Sequence, residues 1–332
     1  MSKSRESRLE ELQDLEPSLE EFRTEVVQGL SESQKTLPCK FLYDRRGSEI
    51  FDRICNLPEY YPTRTELHIL QRHASDIAAS LGPEVRLVEF GSGAGTKIRL
   101  LLTALDRPAA YLPVDISRDH LVAANTDLAR SFPDLSIAPV CADYTEPFAL
   151  PELAGIRYRT TAGFFPGSTI GNFTRAEAIG FLTSARYLLG AGAVMIIGVD
   201  LVKDVDVLQA AYDDSAGVTA AFNLNLLRRI NRELGGTFEL SHFRHEARWN
   251  AELERIEMHL VSLRNQDINI GAHRFRFRDG ETIHTESSHK YRLDGFRKLA
   301  REAGFDPVEV WTDEKKFFSV HALRARQETT PS

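Results

Sequence analysis

Little in this sequence suits cross-linking, spanning a bilayer or lying along a polyanion. Only three cysteines, Cys39, Cys55 and Cys141, occur in 332 residues, with no C-x-x-C pair and no tight Cys/His spacing. Neither a disulfide framework nor a structural zinc site is expected, and no metal is assigned. The longest apolar run, 193–199, falls far short of the ~18 residues a membrane helix needs. The N-terminal stretch 1–21 mixes Lys3, Arg5 and Arg8 with seven acids and lacks the apolar middle of a signal peptide. Basic excess is missing too: 41 Lys and Arg against 48 Asp and Glu leave a net charge of −7. No Lys/Arg cluster is present to release counterions from a phosphate backbone. The expectation is therefore a cytoplasmic monomer with a small-molecule substrate and neither nucleic acid nor membrane as partner.

What is present is a globular composition, 42% apolar and 27% charged, in a chain long enough for about two domains. Between 85 and 200, short apolar runs ending in Gly or Asp alternate with helical patterns, the mark of βαβ units around a parallel sheet. The predicted strands are 86–90, 110–114, 136–140, 163–165 and 194–199; the predicted helices are 98–105, 120–132 and 176–188. Beyond Asp200 a helical stretch over 205–233 leads into strand-like segments at 237–240, 247–250, 255–263 and 273–277. Residues 203–286 thus read as an inserted α+β module. A helix over 292–303 and strands at 308–311 and 317–323, joined by a charged turn at 313–316, predict a hairpin that closes the sheet.

The first predicted strand runs directly into Gly91-Ser92-Gly93-Ala94-Gly95-Thr96-Lys97 and then a helix. Backbone N–H groups and a helix N-terminus then face whatever sits above the strand, and glycine lets a ligand approach closely. Thr96 stands where the third glycine of a dinucleotide fingerprint belongs, and Lys97 has no glycine before it, which excludes a P-loop. The next strand ends in Asp115, placed to accept both hydroxyls of a ribose. The third ends in Cys141-Ala142-Asp143-Tyr144, an acid for an adenine amino group with a ring beside it. Three strand ends of this kind fit S-adenosylmethionine better than NAD. Glu89 adds an acid at the first strand end, read either as a negative charge near the ligand's cationic end or as a solvated or capping carboxylate.

From about residue 37 to 323 the chain resembles the histidine Nα-methyltransferase family of ergothioneine biosynthesis. The likeness rests on Tyr43-Asp44-Arg45-Arg46-Gly47-Ser48 with Phe51, on Leu57-Pro58-Glu59-Tyr60-Tyr61-Pro62-Thr63-Arg64-Thr65-Glu66, and on the glycine loop. Gly167-Ser168-Thr169-Ile170-Gly171-Asn172, Tyr212-Asp213-Asp214, Ala221-Phe222-Asn223, Glu257-Met258 and Thr285-Glu286-Ser287-Ser288 complete it. The resemblance implies an α/β chain: a class I methyltransferase, Rossmann-like sheet binding S-adenosylmethionine (1–24, 65–200, 287–332) with a smaller α+β substrate domain (25–64, 201–286). It implies cofactor contacts at Gly91, Lys97, Asp115 and Asp143, with Tyr144 flanking. L-histidine would be held at its carboxylate by Asn172 and Tyr212 and at its imidazole by Tyr60, Glu286 and Ser288, with Met258 as a further contact. The catalytic set around the amino group would be Tyr43, Phe51, Gly167 and Asn172, while Ser287 is left without a role.

The donor chemistry agrees, since a carboxylate calls for N–H and O–H donors and an imidazole N–H for an acceptor such as Glu286. Methyl transfer to an amine is an in-line displacement that needs alignment and desolvation rather than a covalent intermediate. A tyrosine hydroxyl, with a pKa of roughly 10, is a poor base at neutral pH, so Tyr43 is assigned to orientation and relay. The rings of Tyr43 and Phe51 are expected to stabilise the methylated cation. The implied product is Nα,Nα,Nα-trimethylhistidine (hercynine). Rival readings are N-methylation of another aromatic amino acid or amine, such as a tryptophan derivative, and an NAD-dependent oxidoreductase.

Overall fold

The computed structural model describes residues 9–93 and 95–327. Expectations that fall on residues 1–8, Ala94 and 328–332 lie outside the described residues. The chain forms two compact units, one of residues 9–16, 62–202 and 291–327 and the other of 17–61 and 203–290.

In the first unit, nine strands form one sheet among the described residues. Across it lie Gln13–Leu15, Val140–Ala142, Ala110–Asp115, Val85–Phe90, Thr160–Phe165, Val194–Asp200, Phe318–Ala325 and Phe305–Thr312, with Ser136–Ile137 also on Ala110–Asp115. Pairing is parallel until Phe318–Ala325, which runs antiparallel to both of its neighbours. Val140–Ala142, Ala110–Asp115 and Val85–Phe90 reverse in chain order, and the last hairpin inserts its second strand inside its first. That arrangement is the Rossmann-like sheet of a class I methyltransferase, and the expected hairpin closes it.

Buried side chains pack on both faces, as a parallel sheet covered by helices requires. Phe90, Phe165, Phe181, Leu182 and Phe296 lie in one cluster, and Ile77, Val85, Leu101, Phe164 and Phe318 in the other. The helix Arg175–Leu189 begins with a capping box, Thr174 and Glu177 each satisfying the other's backbone N–H, and stops at Gly190.

Several boundaries differ from the sequence reading. The strand expected at 136–140 is two short ones, because Pro139 has no N–H for the ladder. The helix expected at 205–233 breaks into Val205–Tyr212 and Val218–Leu234 at Asp213–Gly217, where Asp214 accepts from the N–H groups of Val218 and Thr219 at 2.9 and 2.7 Å. Residues 237–240 are not a strand; the ladder starts at Phe243. Residues 17–24 belong to the second unit, since Ser18 caps an unbroken helix Leu19–Ser31. Residues 287–290 stay there as well, because the strand Thr282–His289 keeps its ladder as far as His289 on Arg255.

The second unit carries a four-stranded sheet in the order Lys35–Thr36, Thr282–His289, Arg255–Ser262 and Phe243–Asn250, a separate hairpin, and the helices Leu19–Ser31, Arg45–Ile54, Val205–Tyr212 and Val218–Leu234.

A buried histidine and a half-buried one predict the response to acid. Burial, then Arg297, holds His321 of the first unit down to about 3, and burial, then His259, holds His284 of the second down to about 4, both from 6.5. The unfolded chain therefore takes up protons first as the pH falls below 6.5, and stability drops by about 1.4 kcal/mol per pH unit for each histidine. Thermal melts should show falling stability from pH 7 to 5 and a shallower slope for His321→Leu; a flat profile contradicts the assignment.

Candidate active site

The candidate side chains of the first unit sit at the carboxyl ends of its parallel strands. After Val85–Phe90 the backbone turns through Gly91 and Gly93, at φ +73° and +46°, a region other residues avoid. The helix Thr96–Ala104 follows. Asp115 closes the neighbouring strand and accepts from the N–H groups of Ser117 at 2.8 Å and Gly93 at 3.4 Å, tying the glycine turn to it. Burial raises the Asp115 pKa, partly offset by those N–H groups. Asp143 Oδ1 accepts from the N–H and hydroxyl of Thr145, at 2.9 and 2.5 Å. The Tyr144 ring packs edge-on against Phe90, Phe165 and Phe181. Its hydroxyl would be 3.8 Å from a Cβ on Gly91, so the ring borders the turn.

Lys97 Nζ lies 2.6 Å from the fully buried Glu66 carboxylate, which also accepts the Gly167 N–H at 2.8 Å. Gly167, at φ +83°, and Ser168, at +59°, lead into the 3-10 turn Thr169–Asn172. Glu89 corrects the expectation of a solvated or capping carboxylate, and its surroundings disfavour the charge of the other reading. It is 1% exposed, accepts a hydrogen bond from Tyr111, and burial pushes its pKa well above the carboxylate range, favouring the neutral acid.

In the second unit, Asp44 organises the Asp44-Arg45-Arg46-Gly47 motif. It caps the helix Arg45–Ile54 through Gly47 N–H and accepts from Asn225 and Arg232 on the helix Val218–Leu234. Gly47 cannot be larger, since a Cβ there would lie 1.7 Å from the Leu42 carbonyl. The two fixed helices hold Tyr43, Phe51 and Phe222 with ring centroids 5.4–5.8 Å apart. The series continues from Phe51 to Tyr60 and on to Tyr212 at 6.2 and 6.1 Å. Burial, then the neighbouring Tyr212, pushes the Tyr60 pKa well above 10, so Tyr60 is a neutral hydrogen-bonding group.

A β-bulge sets the polar side of this unit. Met258 pairs with Glu286 but His259 pairs with His284, so Thr285 is an extra residue, its hydroxyl donating to the Met258 carbonyl at 3.0 Å. Strand side chains alternate faces, so this single insertion puts Glu286, Ser288 and Lys290 on the face of Ile283 rather than that of His284. On that face the Tyr212 hydroxyl is 2.7 Å from Ser288 Oγ, and Lys290 Nζ donates to both oxygens at 2.9 and 2.8 Å. Ser288 and Lys290 are buried. Two hydroxyls and an ammonium so joined form a donor-rich, positive corner suited to an anion. His245, buried and held below 6.5 mainly by that burial, donates from Nε2 to the Tyr212 carbonyl and accepts at Nδ1 from Asn223.

Of the residues expected to touch ligands, Gly91, Lys97, Asp115, Asp143, Tyr144, Gly167 and Asn172 thus belong to the first unit. Tyr43, Phe51, Tyr60, Tyr212, Met258, Glu286 and Ser288 belong to the second. Ser287 lies on the opposite strand face, its hydroxyl 3.1 Å from His284 Nε2. Sequence reasoning missed Glu66, Phe222 and Lys290 as parts of these clusters. The first two lie inside quoted motifs, and Lys290 continues the Glu286–Ser288 alternation by one more step. It also missed Ser92, whose hydroxyl oxygen is buried beside the glycine turn with no hydrogen-bond partner among the described residues.

A family model described as histidine-specific, SAM-dependent methyltransferase matches residues 22–325. The chain belongs to this family. It is 40% identical over 299 residues to the histidine N-alpha-methyltransferase of Mycolicibacterium smegmatis, covering 89% of this chain and 92% of that one. Against the Mycobacterium tuberculosis protein of the same description, identity is 40% over 304 residues, 90% and 93% of the two chains. A more distant relative, the 4-dimethylallyltryptophan N-methyltransferase of Claviceps purpurea, is 27% identical over 90% of this chain and 94% of its own. Family membership excludes the dinucleotide-dependent rival and makes S-adenosylmethionine the cofactor.

Proposed function

We propose that the protein transfers methyl groups from S-adenosylmethionine to the α-amino nitrogen of L-histidine, giving hercynine for ergothioneine biosynthesis, with the first unit as cofactor domain and the second as substrate domain. The observation that carries the substrate reading is the single strand face bearing Glu286, Ser288 and Lys290, with Tyr212 bonded to the last two. An acceptor for an imidazole N–H stands there beside donors for an anion. Selectivity follows, because only a ligand with both groups meets the acceptor and the donors at once.

The cofactor, when bound, supplies a methyl group on a positively charged sulfur. The first unit fits it: Asp115 offers a carboxylate to the ribose, Gly91 a close backbone approach, Tyr144 a flanking ring and Asp143 an acid at the third strand end. The Ser92 hydroxyl, buried and without a partner among the described residues, provides a donor beside the glycine turn. Lys97 takes the carboxylate at the cofactor's amino-acid end. Asn172 and Gly167 are assigned to the substrate's carboxylate and amino group by family motif. In the second unit Tyr212 takes the carboxylate, Tyr60, Glu286 and Ser288 the imidazole, and Met258 contributes an apolar contact opposite Glu286. Tyr43 orients the amine and relays its proton, while the ring faces of Tyr43 and Phe51 favour the accumulating ammonium.

Incubation with S-adenosylmethionine and equal amounts of L-histidine, L-tryptophan, a prenylated tryptophan and histamine, followed by mass spectrometry, tests this reading. Three methyls on histidine alone are expected; methylation confined to the tryptophans overturns it in favour of the second reading. Tyr43→Ala should slow the third methyl step more than the first, by about 2- to 30-fold for a cation–π contribution of ~0.5–2 kcal/mol. Equal slowing of all steps would remove the aromatic-cage role.

A further inference from the structure

The longest family motif ends in a residue that the proposed reaction leaves without a task. Glu66 lies on the helix Tyr61–Arg72 and is 0% exposed. A buried carboxylate is retained only when paired and hydrogen-bonded. Glu66 has both kinds of partner: Lys97 Nζ at 2.6 Å from Oε2, and the Gly167 N–H at 2.8 and 3.1 Å from its two oxygens. Its seat is built by a third residue. On the strand Val194–Asp200, a Cβ at Gly198 would fall 2.0 Å from Glu66 Oε1, so the carboxylate fits only because residue 198 is glycine.

Each partner sits at a spot few residues could take. Lys97 is in the first turn of the helix Thr96–Ala104, where the helix dipole opposes a cation. Gly167 adopts φ +83°, and a Cβ there would be 3.5 Å from Lys97 Nζ. The next residue, Ser168, is also left-handed, its Oγ accepting the Asp200 N–H at 2.8 Å. One carboxylate therefore fixes both the cation that follows the glycine loop and the turn that opens onto Asn172.

We propose that Glu66 is a positioning residue for the cofactor. By engaging Lys97 on one side, it aims the ammonium's other hydrogens at the carboxylate of the cofactor's amino-acid end, and by holding Gly167 it keeps the adjacent turn in register. This role rests on the reading of the glycine loop as an S-adenosylmethionine site.

The test is calorimetric binding of S-adenosylhomocysteine, with thermal melts, on wild type, E66Q, K97M, the double variant E66Q/K97M, and G198A. Wild type binds. E66Q and K97M each weaken binding about tenfold or more, as expected for loss of a charged hydrogen bond. K97M also lowers the melting temperature, by on the order of 5 °C, because it strands a buried charge. Adding E66Q to K97M restores the melting temperature and costs no further affinity, since Glu66 acts through Lys97. G198A displaces Glu66 and weakens binding as E66Q does. Should E66Q alone be recovered poorly, the double variant compared with K97M carries the test. Wild-type affinity in E66Q, or losses that multiply in the double variant, would overturn the role. A wild-type protein that ignores S-adenosylhomocysteine would instead remove the cofactor reading, and this role with it.

Discussion

Replacing Tyr212 by phenylalanine is expected to lower kcat/KM for L-histidine by about 10- to 150-fold, chiefly through KM. The hydroxyl accepts from the buried Lys290 ammonium at 2.9 Å and shares a 2.7 Å hydrogen bond with Ser288. Its removal deletes the proposed carboxylate donor and leaves a buried cation with one acceptor fewer, the two together of the size of a hydrogen bond to a charged group, ~1.5–3 kcal/mol. The ring stays, so its edge-on contact with Tyr60 and the aromatic series survive. Steady-state kinetics with histidine and with histamine, which lacks the carboxylate, separate the two effects. Histidine should lose its advantage over histamine in the variant. An unchanged preference would show that Tyr212 packs without reading the carboxylate.

Asp115→Ala should weaken S-adenosylhomocysteine binding by about 100-fold in calorimetry. Asp115 joins two jobs: its oxygens hold the Gly93 and Ser117 N–H groups, and its position at the strand end offers the ribose an acceptor. Two charged hydrogen bonds to ribose at ~1.5 kcal/mol or more each account for that loss. Asp115→Asn keeps an acceptor but loses the charge, and should fall between alanine and wild type. Equal affinity in all three would place the ribose elsewhere.

The central strands of the first unit were legible because each is a buried, β-branched or aromatic run cut off by Gly or Asp, and the order of those ends already suggested the ligand. What the pattern hid has physical reasons. The edge strand Gln13–Leu15 is short and largely exposed, so it carries no apolar alternation. The strand at 136–140 looked continuous in hydrophobicity, while Pro139 interrupts only its hydrogen bonding. The sequence marks Glu89 only as an acid at a strand end, yet its side chain points into the core to Tyr111, a choice that alternation along one strand does not settle without its neighbour. The bulge at Thr285 is invisible for the same reason. It exists only in the pairing of two strands, and it decides that Lys290 shares a face with Glu286 and Ser288. The family motifs named residues without explaining most of them. Asp44, Gly47, Asp214 and Asn223 turn out to cap, admit or brace the helices that carry the aromatic rings and Tyr212.

The proposed reaction passes a methyl group from the sulfonium donor to one particular nitrogen of free histidine. Incubation with methyl-deuterated S-adenosylmethionine and L-histidine, followed by fragmentation of the product in a mass spectrometer, reads that directly. All the label should reside on the α-nitrogen, up to three deuterated methyls. Label on the imidazole ring, or unlabelled histidine recovered alongside consumed donor, would contradict it.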